Sequence, residues 1–435
     1  MAQKRDSVFD VLARAQHVAA NGLIDRRVFL RRGAMAGLAL AGGWVTGARA
    51  AAIGEHAHPW QKTIGAPLSP SGEPSTFVQP QLKRGVLQPY GPIAPGTGVS
   101  MTPLHALHGT ITPSALHFER HHNGVPQIDP AKHTLTVHGL VQRPLVFDMD
   151  VLMRYPMVSR ICFIECSGNS FFNTMPEAKP LPCGMIHGLV SCTEWTGIPL
   201  ALLLQETGTD RKAKWLLAEG ADSAAMSRSI PLDKALDDVL VAFWQNGEPV
   251  RPEQGFPMRL VIPGFEGNMS VKWLHRLKLT EGATHTRDET SKYTDRLPDG
   301  KAEQFTFVMG VKSVITHPSG GMTLSGRGFH EISGLAWSGA SKIRRVEVSA
   351  DGGKTWGDAY LHGPVLDKSL TRFSMAWQWD GGPAQLQSRA TDDQGRVQIA
   401  RHRWIAQYAP GQPYHNNAIQ TWAVNANGET SNVYL

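Results

Sequence analysis

Cys166 is the residue whose position most clearly suggests chemistry in this chain. It ends an apolar run that starts at Phe163, and Ser167-Gly168 follows it, so it stands where a strand meets a turn. A thiol presented in this way can face a pocket, and its thiolate is a good ligand for a soft metal ion. The alternative is a buried structural thiol, because free cysteine is among the most buried residue types. The rest of the sequence has to decide between the two.

The adjacent pair His121-His122 is a second candidate, because imidazole suits zinc and copper and the pair could be half of such a site. Neighbouring residues on a strand point to opposite faces, however, so they seldom bind one ion together. A shared metal is therefore the weakest interpretation, below a solvated pair and below separate roles for the two rings.

Four cysteines could also pair, namely Cys162, Cys166, Cys183 and Cys192. An even number in an exported protein ordinarily suggests disulfides. Cys162 and Cys166 are separated by an even number of positions on one predicted strand. They therefore share a face of the strand but lie too far apart to form a disulfide. A bridge between Cys183 and Cys192 remains open. The chain has no Cys-x-x-Cys-His motif, so we expect no c-type haem in it.

Two folded regions are expected to position these side chains. Residues 104–305 mix apolar strand-like runs with short helices around Pro199-Glu206 and Pro231-Asp237, and Asn246-Gly247 marks a hairpin turn. The strand-like runs are Thr134-Val137, Arg160-Ile164, Lys214-Leu217, Val239-Trp244, Met258-Ile262 and Val271-Leu279. This pattern predicts an α+β domain with a large core.

Residues 306–435 change to short strands separated by turns. The predicted strands include Gly321-Leu324, Arg344-Ser349, Arg372-Trp379 and Gln385-Ala390, and Asp351 begins a turn. Strands at this spacing are typical of an immunoglobulin-like β-sandwich.

The first 50 residues read as an export signal. Arg26-Arg27 is a twin-arginine pair, an apolar stretch runs from Gly33 to Val45, and Ala48-Arg49-Ala50 is a small-residue processing site. The apolar stretch is too short to span a bilayer, so we expect a cleaved, periplasmic protein. Residues 51–103 are rich in proline and glycine and read as an extended arm.

The net charge of +6 belongs mostly to this leader, which has eight basic residues against three acidic ones. The processed chain is close to neutral. No basic stripe remains for nucleic acid, which is therefore not an expected partner.

Several separated motifs between Leu116 and Thr391 resemble the sulfite oxidase family of molybdopterin enzymes. They are the Cys166 loop, Phe118-Glu119-Arg120-His121-His122, Gln254 through Gly264, and Gly267 through Trp273. The resemblance implies a sulfite-oxidase-type molybdopterin domain, followed by an immunoglobulin-like domain that dimerises. It also implies a molybdenum–molybdopterin cofactor without an added nucleotide.

The family's site residues can be placed on this sequence. By resemblance, Cys166 is the metal ligand, and Arg120, Tyr293 and Arg372 face the substrate. The cofactor-binding residues are Phe118, His122, Cys166, Asp222, Gln254, Arg259, Ser270, Val271 and Lys272. Arg259 and Lys272 suit a pterin phosphate because guanidinium and ammonium groups give charge-assisted hydrogen bonds. Asp222 could equally be a turn residue.

Three departures from the usual family pattern point to one branch of it. Ser170, Gln254 and Met269 stand where sulfite oxidases commonly have cationic or imidazole side chains. Fewer fixed cations imply weaker binding of a small dianion. These changes, and the segment from His415 to Trp422, resemble the sulfane dehydrogenase branch, whose substrate is a sulfane sulfur on a carrier-protein cysteine.

That branch implies partners as well. Without haem or flavin in this chain, electrons would leave through a dihaem c-type cytochrome, in a heterotetramer of two catalytic and two cytochrome subunits. The alternatives are a sulfite:cytochrome c oxidoreductase of the same fold and a binding protein that kept the fold without the cofactor.

Overall fold

The structure is a computed structural model that describes residues 17–25, 61–72, 75, 77–78, 82–87, 96–412 and 414–435. The twin-arginine pair, the apolar stretch and the processing site lie outside the described residues. Residues 83–435 and 17–25 belong to one compact unit. The described part of 61–78 is exposed and irregular. In the residues that the structure describes, no helix is long and apolar enough to cross a membrane.

Two five-stranded sheets form the frame of the predicted α+β domain. The first joins, in order, Ser227–Pro231, Trp215–Gly220, Leu274–Thr280, Thr134–Gly139 and Leu145–Asp148. The second joins Glu248–Pro249, Leu240–Gln245, Val190–Pro199 and Val158–Glu165, with Arg259–Val261 beside Leu240–Gln245. The pair between Leu274–Thr280 and Thr134–Gly139 is parallel. Every predicted strand of this domain overlaps an observed one, and Asn246-Gly247 forms the hairpin turn before Glu248–Pro249.

The helices within the described residues are short and lie mostly between strands. They are Met149–Leu152, Cys183–His187, Leu200–Thr207, Leu232–Asp237, Arg287–Thr290 and Arg401–Gln407. Single 3₁₀ turns cover Leu104–Ala106, Ser114–Leu116, Phe171–Thr174, Pro252–Gln254 and Gly267–Met269. Leu200–Thr207 buries Leu200, Leu203 and Leu204 at helical spacing, which packs it against the first sheet's core.

The end of the predicted extended arm forms short strands. Gly85–Leu87 and Gly98–Met101 form an antiparallel sheet with Glu119–His121. The strands are three or four residues long, which is too short for a periodic sequence signal. The register pairs Val99 with Arg120 and so fixes the predicted substrate-facing arginine.

The sandwich has two sheets. One joins His17–Ala19, Leu23–Ile24, Thr371–Trp379, Gly328–Trp337 and Lys312–His317, with Tyr360–Leu361 also beside Thr371–Trp379. The other joins Gly357–Asp358, Ile343–Ser349, Ala384–Asp392, Thr421–Val424 and Thr430–Val433. Asp295–Arg296 and Ala302–Glu303 form a separate small hairpin. Trp337, Trp377, Phe373 and Trp422 are fully buried in one cluster contributed by both sheets.

One predicted strand of the sandwich is not a strand. Within Gly321-Leu324, only Thr323 makes an isolated bridge, to Glu429. Gly321 has a φ of 84°, which places it in a turn rather than in extended backbone.

Candidate functional site

Two cavities meet at Cys166. An inner cavity of about 70 Å³ and an outer cavity of about 730 Å³ share the side chains of Arg120, His122, Cys166 and Tyr293. These four residues come from three separate parts of the chain, so the fold assembles the site.

Eleven of the twelve predicted site residues line the inner cavity. They are Phe118, Arg120, His122, Cys166, Asp222, Gln254, Arg259, Ser270, Val271, Lys272 and Tyr293. Their convergence shows that the motifs form one site, although it does not by itself assign a role to each residue.

Cys166 is held by a rigid turn after the strand Val158–Glu165. Its amide donates to the carbonyl of Leu189 at 2.9 Å, and its own carbonyl accepts from the amide of Asn169 at 2.9 Å. Burial raises the pKa of the thiol, while the backbone N–H of Gly168 and the charge of Arg120 lower it. A soft cation would displace the proton and bind the thiolate.

Glu165, immediately before this cysteine, connects the turn to the sandwich. Its carboxylate accepts from Lys312 Nζ at 3.1 Å and from Trp337 Nε1 at 2.6 Å, and Asn169 Nδ2 donates to it at 2.9 Å. Glu165 and Lys312 are both nearly inaccessible to solvent. The loop that carries the predicted metal ligand is thus fixed from both domains.

Arg120, His122 and Tyr293 form a hydrogen-bonded chain beside Cys166. Arg120 Nη2 lies 3.4 Å from His122 Nδ1, and His122 Nε2 lies 2.9 Å from the Tyr293 hydroxyl. Burial, together with the charge of Arg120, lowers the pKa of His122 to about 3, so the ring is neutral. Because Nδ1 faces a guanidinium that can only donate, Nε2 carries the proton and donates to Tyr293. The Tyr293 hydroxyl keeps its own proton, since burial raises its pKa.

Arg259 is a buried cation and Lys272 a partly buried one, and neither has a carboxylate partner within ion-pair distance among the described residues. Arg259 donates to the carbonyls of Gln254 and Ser270, each at 2.9 Å. Lys272 Nζ donates to His121 Nδ1 at 2.8 Å and to the Glu253 carbonyl at 3.0 Å. Burial lowers the pKa of Arg259 to about 9, and burial followed by the charge of Arg259 lowers that of Lys272.

Such a pair is unfavourable without an anion, because buried charges need compensation. A phosphate in the inner cavity would supply this compensating negative charge.

A buried hydrogen-bond acceptor without a partner in the described structure adds to this fit. His117 Nδ1 lies 3.0 Å from the Phe118 carbonyl, so Nδ1 carries the proton, and its buried Nε2 has no partner in the described structure. The wall of the cavity therefore suits a ligand with a phosphate and hydrogen-bond donors, as a pterin has.

The remaining predicted cofactor residues shape the wall. Gln254 Nε2 donates to the Phe118 carbonyl at 2.9 Å, and Ser270 Oγ accepts from the amide of Ile262 at 3.0 Å. Asp222 both lines the cavity and caps a turn, since Oδ1 accepts from the amide of Met226 at 3.4 Å. Asp222 is therefore a turn residue in the cavity wall, and its contact with a pterin stays a prediction.

Arg372 is not brought to this site. It lines neither cavity, and its guanidinium donates to the carbonyl of Gly109 at 2.7 Å and to that of Leu107 at 3.2 Å. Arg372 lies on the strand Thr371–Trp379, as the sequence predicted. Its side chain, however, is hydrogen-bonded to the carbonyl groups of a loop. The expectation that Arg372 faces the substrate is not met.

Sequence reasoning missed several lining residues. His117, Asn268 and Trp273 line the inner cavity. The outer cavity is lined by apolar side chains, Leu87, Val99, Phe171, Phe172 and Leu189, and by cationic ones, Arg120, Arg287 and Lys292. Asn268 and Trp273 belong to the motif Gly267 through Trp273 but were not named as site residues, and only the neighbourhood of Phe118 could have drawn attention to His117.

The three departures from the family pattern face different environments. Ser170 lies outside both cavities, where its hydroxyl is bonded to His187 Nδ1 at 2.7 Å and to Lys312 Nζ at 2.8 Å. Met269 Sδ accepts from Arg228 at 3.1 Å. Only Gln254 lines a cavity, the inner one. The inference that these positions weaken binding of a dianion therefore does not follow from their location.

The other metal and disulfide hypotheses can be compared with the structure. No group of three or more potential ligands suited to a metal ion occurs in the part of the chain that the structure describes. His121 is bonded to Glu119 and Lys272, whereas His122 is bonded to Tyr293, so the two rings act apart. All four cysteines are free thiols, and Cys192 Sγ lies 3.2 Å from Ser369 Oγ. The bridge that the sequence left open is not formed.

Two family models match the chain. Residues 122–287 match the oxidoreductase molybdopterin binding domain, and residues 303–422 match the Mo-co oxidoreductase dimerisation domain. Together they cover the two regions in which the sequence predicted a cofactor domain and a sandwich.

Solved and curated proteins are similar as well. The crystal structure of the sulfane dehydrogenase SoxCD from Paracoccus pantotrophus matches with a TM-score of 0.84 and 44% identity, over 87% of this chain and 97% of that chain. Mitochondrial sulfite oxidase from Mus musculus is 32% identical over 67% of this chain and 55% of that protein. The NADH nitrate reductase of Solanum lycopersicum is 34% identical over 62% of this chain, which spans only 33% of that protein's length. These matches confirm the predicted family, fold class and cofactor.

Proposed function

Because the chain belongs to the sulfite oxidase family of molybdopterin-binding oxidoreductases, we propose that it oxidises a sulfane sulfur carried on a protein cysteine. The product would be a sulfonate, formed step by step with oxygen from water. The observation that carries this proposal is the outer cavity at Cys166, which is wide and is lined by both apolar and cationic side chains.

The size of that cavity favours a substrate with an arm. At about 730 Å³ it lies within the range that encloses drug-sized ligands, far more than a sulfite ion fills. Phe171 and Phe172 provide an apolar wall for a peptide segment, with ring centroids 4.1 Å apart. Arg120 and Lys292, which also line this cavity, would attract the anionic sulfur group.

We assign a proposed role to six of the residues that line the inner cavity. Cys166 is the protein ligand to molybdenum, and Arg259 and Lys272 hold the pterin phosphate. The bound cofactor supplies oxygen-atom transfer and accepts two electrons. Arg120 stabilises negative charge on the sulfur oxyanion as it develops, and His122 holds the Tyr293 hydroxyl so that its proton can point at substrate oxygen.

The electrons need an acceptor outside this chain. We propose a dihaem c-type cytochrome in a heterotetramer built on a dimer of this chain, which the match to a dimerisation domain supports. Native mass spectrometry of the complex would test this, and a lone monomer would count against it. The twin-arginine sequence supports a periplasmic location.

The substrate test compares two donors with the same enzyme and cytochrome acceptor. We expect kcat/KM for sulfane on a carrier-protein cysteine to exceed that for free sulfite by at least about tenfold, because only the carrier can use the apolar wall. Phe172→Ala should raise KM for the carrier, while the exposed control Phe329→Ala should not.

The cationic residues of the outer cavity also favour the second candidate function, a sulfite dehydrogenase, because Arg120, Arg287 and Lys292 could bind a free dianion. Efficient sulfite turnover that is insensitive to Phe172→Ala would support that activity and reject the carrier-bound substrate.

A further inference from the structure

The first strand pair of the sandwich lies in the segment that directly precedes Arg26-Arg27. His17–Ala19 and Leu23–Ile24 form a hairpin around Asn21-Gly22. Asn21 and Gly22 both have positive φ values, 56° and 82°, as a tight hairpin turn requires, and Asn-Gly is the preferred pair for it.

This hairpin adds strands to the edge of Thr371–Trp379. Leu23 pairs with Trp377 and Ile24 with Ala376, and the Gln378 amide donates to the Gly22 carbonyl at 2.8 Å. On the same edge, Tyr360–Leu361 pairs only with residues 373 and 374. Without the hairpin, the backbone groups around residues 376–378 would be an open sheet edge.

Side chains make the contact specific. Leu23 is 0% and Ile24 2% exposed, and Leu23 belongs to the sandwich core cluster. Trp377 Nε1 donates to the Asn21 carbonyl at 2.7 Å, and Asn21 Nδ2 donates to the Ala350 carbonyl at 2.8 Å. Because of these side-chain contacts, the pairing depends on the sequence of residues 17–25 and not only on backbone hydrogen bonds.

Close packing adds a steric requirement. A Cβ at Gly22 would lie 2.0 Å from the Gln378 carbonyl oxygen, and a Cβ at Gly357 would lie 2.6 Å from a methyl carbon of Val18. The surface that binds the hairpin is formed by residues 350, 355–357 and 376–378, which are far apart in sequence. It therefore exists only when the sandwich has folded.

We propose that residues 17–25 are an intramolecular ligand of the folded sandwich, bound by strand addition at the edge of Thr371–Trp379. Binding orders the segment next to the twin-arginine pair only after this domain has folded. The link to export rests on the proposed leader function, whereas the docking itself does not.

Hydrogen exchange on the full chain tests the docking. We expect slow exchange for the amides of Leu23 and Ile24, lost in the double variant Leu23→Asp/Ile24→Asp, while amides of Gly328–Trp337 stay protected. Ile64→Asp is the control because Ile64 is 97% exposed. Exchange of residues 17–25 at the rate of an unstructured peptide in the unsubstituted chain would overturn the proposal.

A cysteine pair tests the register and whether the contact is within one chain. Ile24→Cys with Ala376→Cys should give a cross-linked monomer under mild oxidation, since these residues are cross-strand partners. Ile24→Cys with Val397→Cys should not. The cross-link should fail above the denaturant concentration that unfolds the sandwich. A covalent dimer as the only product, or no cross-link, would contradict the proposal.

Discussion

Nε2 of His122 lies 2.9 Å from the hydroxyl of Tyr293, although 171 residues separate them in sequence. Both side chains line both cavities at Cys166. The neutral ring leaves the tyrosine hydroxyl hydrogen free for another acceptor, so the pair can present one hydrogen-bond donor to a substrate oxygen.

Replacing Tyr293 by Phe should remove that donor and keep the ring. Hydrogen bonds to charged groups contribute about 1.5–3 kcal/mol, so we expect kcat/KM to fall by about 10- to 100-fold with cofactor content unchanged. Steady-state kinetics and molybdenum analysis measure the two effects. Tyr155→Phe is the control, because Tyr155 lines neither cavity. Equal activity of the two variants would exclude Tyr293 from the reaction.

Cys166→Ser should abolish turnover and change the electron paramagnetic resonance spectrum of the metal, because a soft ligand is lost. The fold should survive, since the change in volume is small. Cys192→Ser is a matched control, because its hydroxyl can bond to Ser369 in place of the thiol. If Cys166→Ser retained full activity on its sulfur substrate, the thiolate could not be the metal ligand.

Lys272→Met should release the cofactor. The substitution removes a charge-assisted donor to the proposed phosphate, which should weaken retention by about 10- to 100-fold. The pterin content of the purified protein, after gel filtration, is the measurement. Lys278→Met changes an exposed lysine of the neighbouring strand and should leave the content unaltered. Full pterin content in Lys272→Met would argue against an anion at this position.

Lys312→Met should destabilise the protein strongly. It leaves Glu165 buried without its cation, and breaking a buried pair in this way costs about 3–5 kcal/mol. Denaturant unfolding followed by tryptophan fluorescence gives the free energy of unfolding. Lys342→Met breaks an exposed pair with Asp393 and should cost less than about 1 kcal/mol. The double variant Lys312→Met/Glu165→Gln should recover part of the loss, and no recovery would mean that the charge of Glu165 is not the cause.

Acid should weaken the cofactor-free protein partly through His117. Burial lowers the pKa of this ring to about 3, from an ordinary value of about 6.5. Between those values the unfolded chain binds a proton that the folded chain excludes. The stabilisation is therefore complete above pH 6.5 and decreases on acidification, by up to about 1.4 kcal/mol per pH unit.

His117→Gln should flatten this part of the stability curve, and the exposed His402→Gln should not. The measurement is the free energy of unfolding of the original chain and of both variants, from about pH 6.5 down to about pH 4. Parallel curves for the original chain and His117→Gln would show that His117 does not titrate as its burial implies.

Sequence alone predicted much of the fold, because the central strands are apolar and of ordinary length. It missed Gly328–Trp337, in which Glu331, Ser333 and Gly334 break the hydrophobic alternation. For the hairpin at residues 17–24 the sequence offered only the Asn21-Gly22 pair, because the two very short strands depend on tertiary pairing rather than on their own pattern.

The site was predictable where residues stand in motifs and not where a role depends on a side chain's surroundings. Cys166, Arg259 and Lys272 follow from their segments. The direction of Arg372 depends on two loop carbonyls that no spacing reveals. His117 needed the structure, because a lone histidine is as often structural as functional.

The contacts of Glu165 with Lys312 and Trp337 limit how this enzyme can be recombined. A chimera that exchanges the sandwich for that of a homologue will disturb the turn holding Cys166 unless the donor supplies an ammonium group and an indole N–H in the same places. Engineers who graft a new second domain should therefore transplant those two side chains with it, even though neither reaches a cavity.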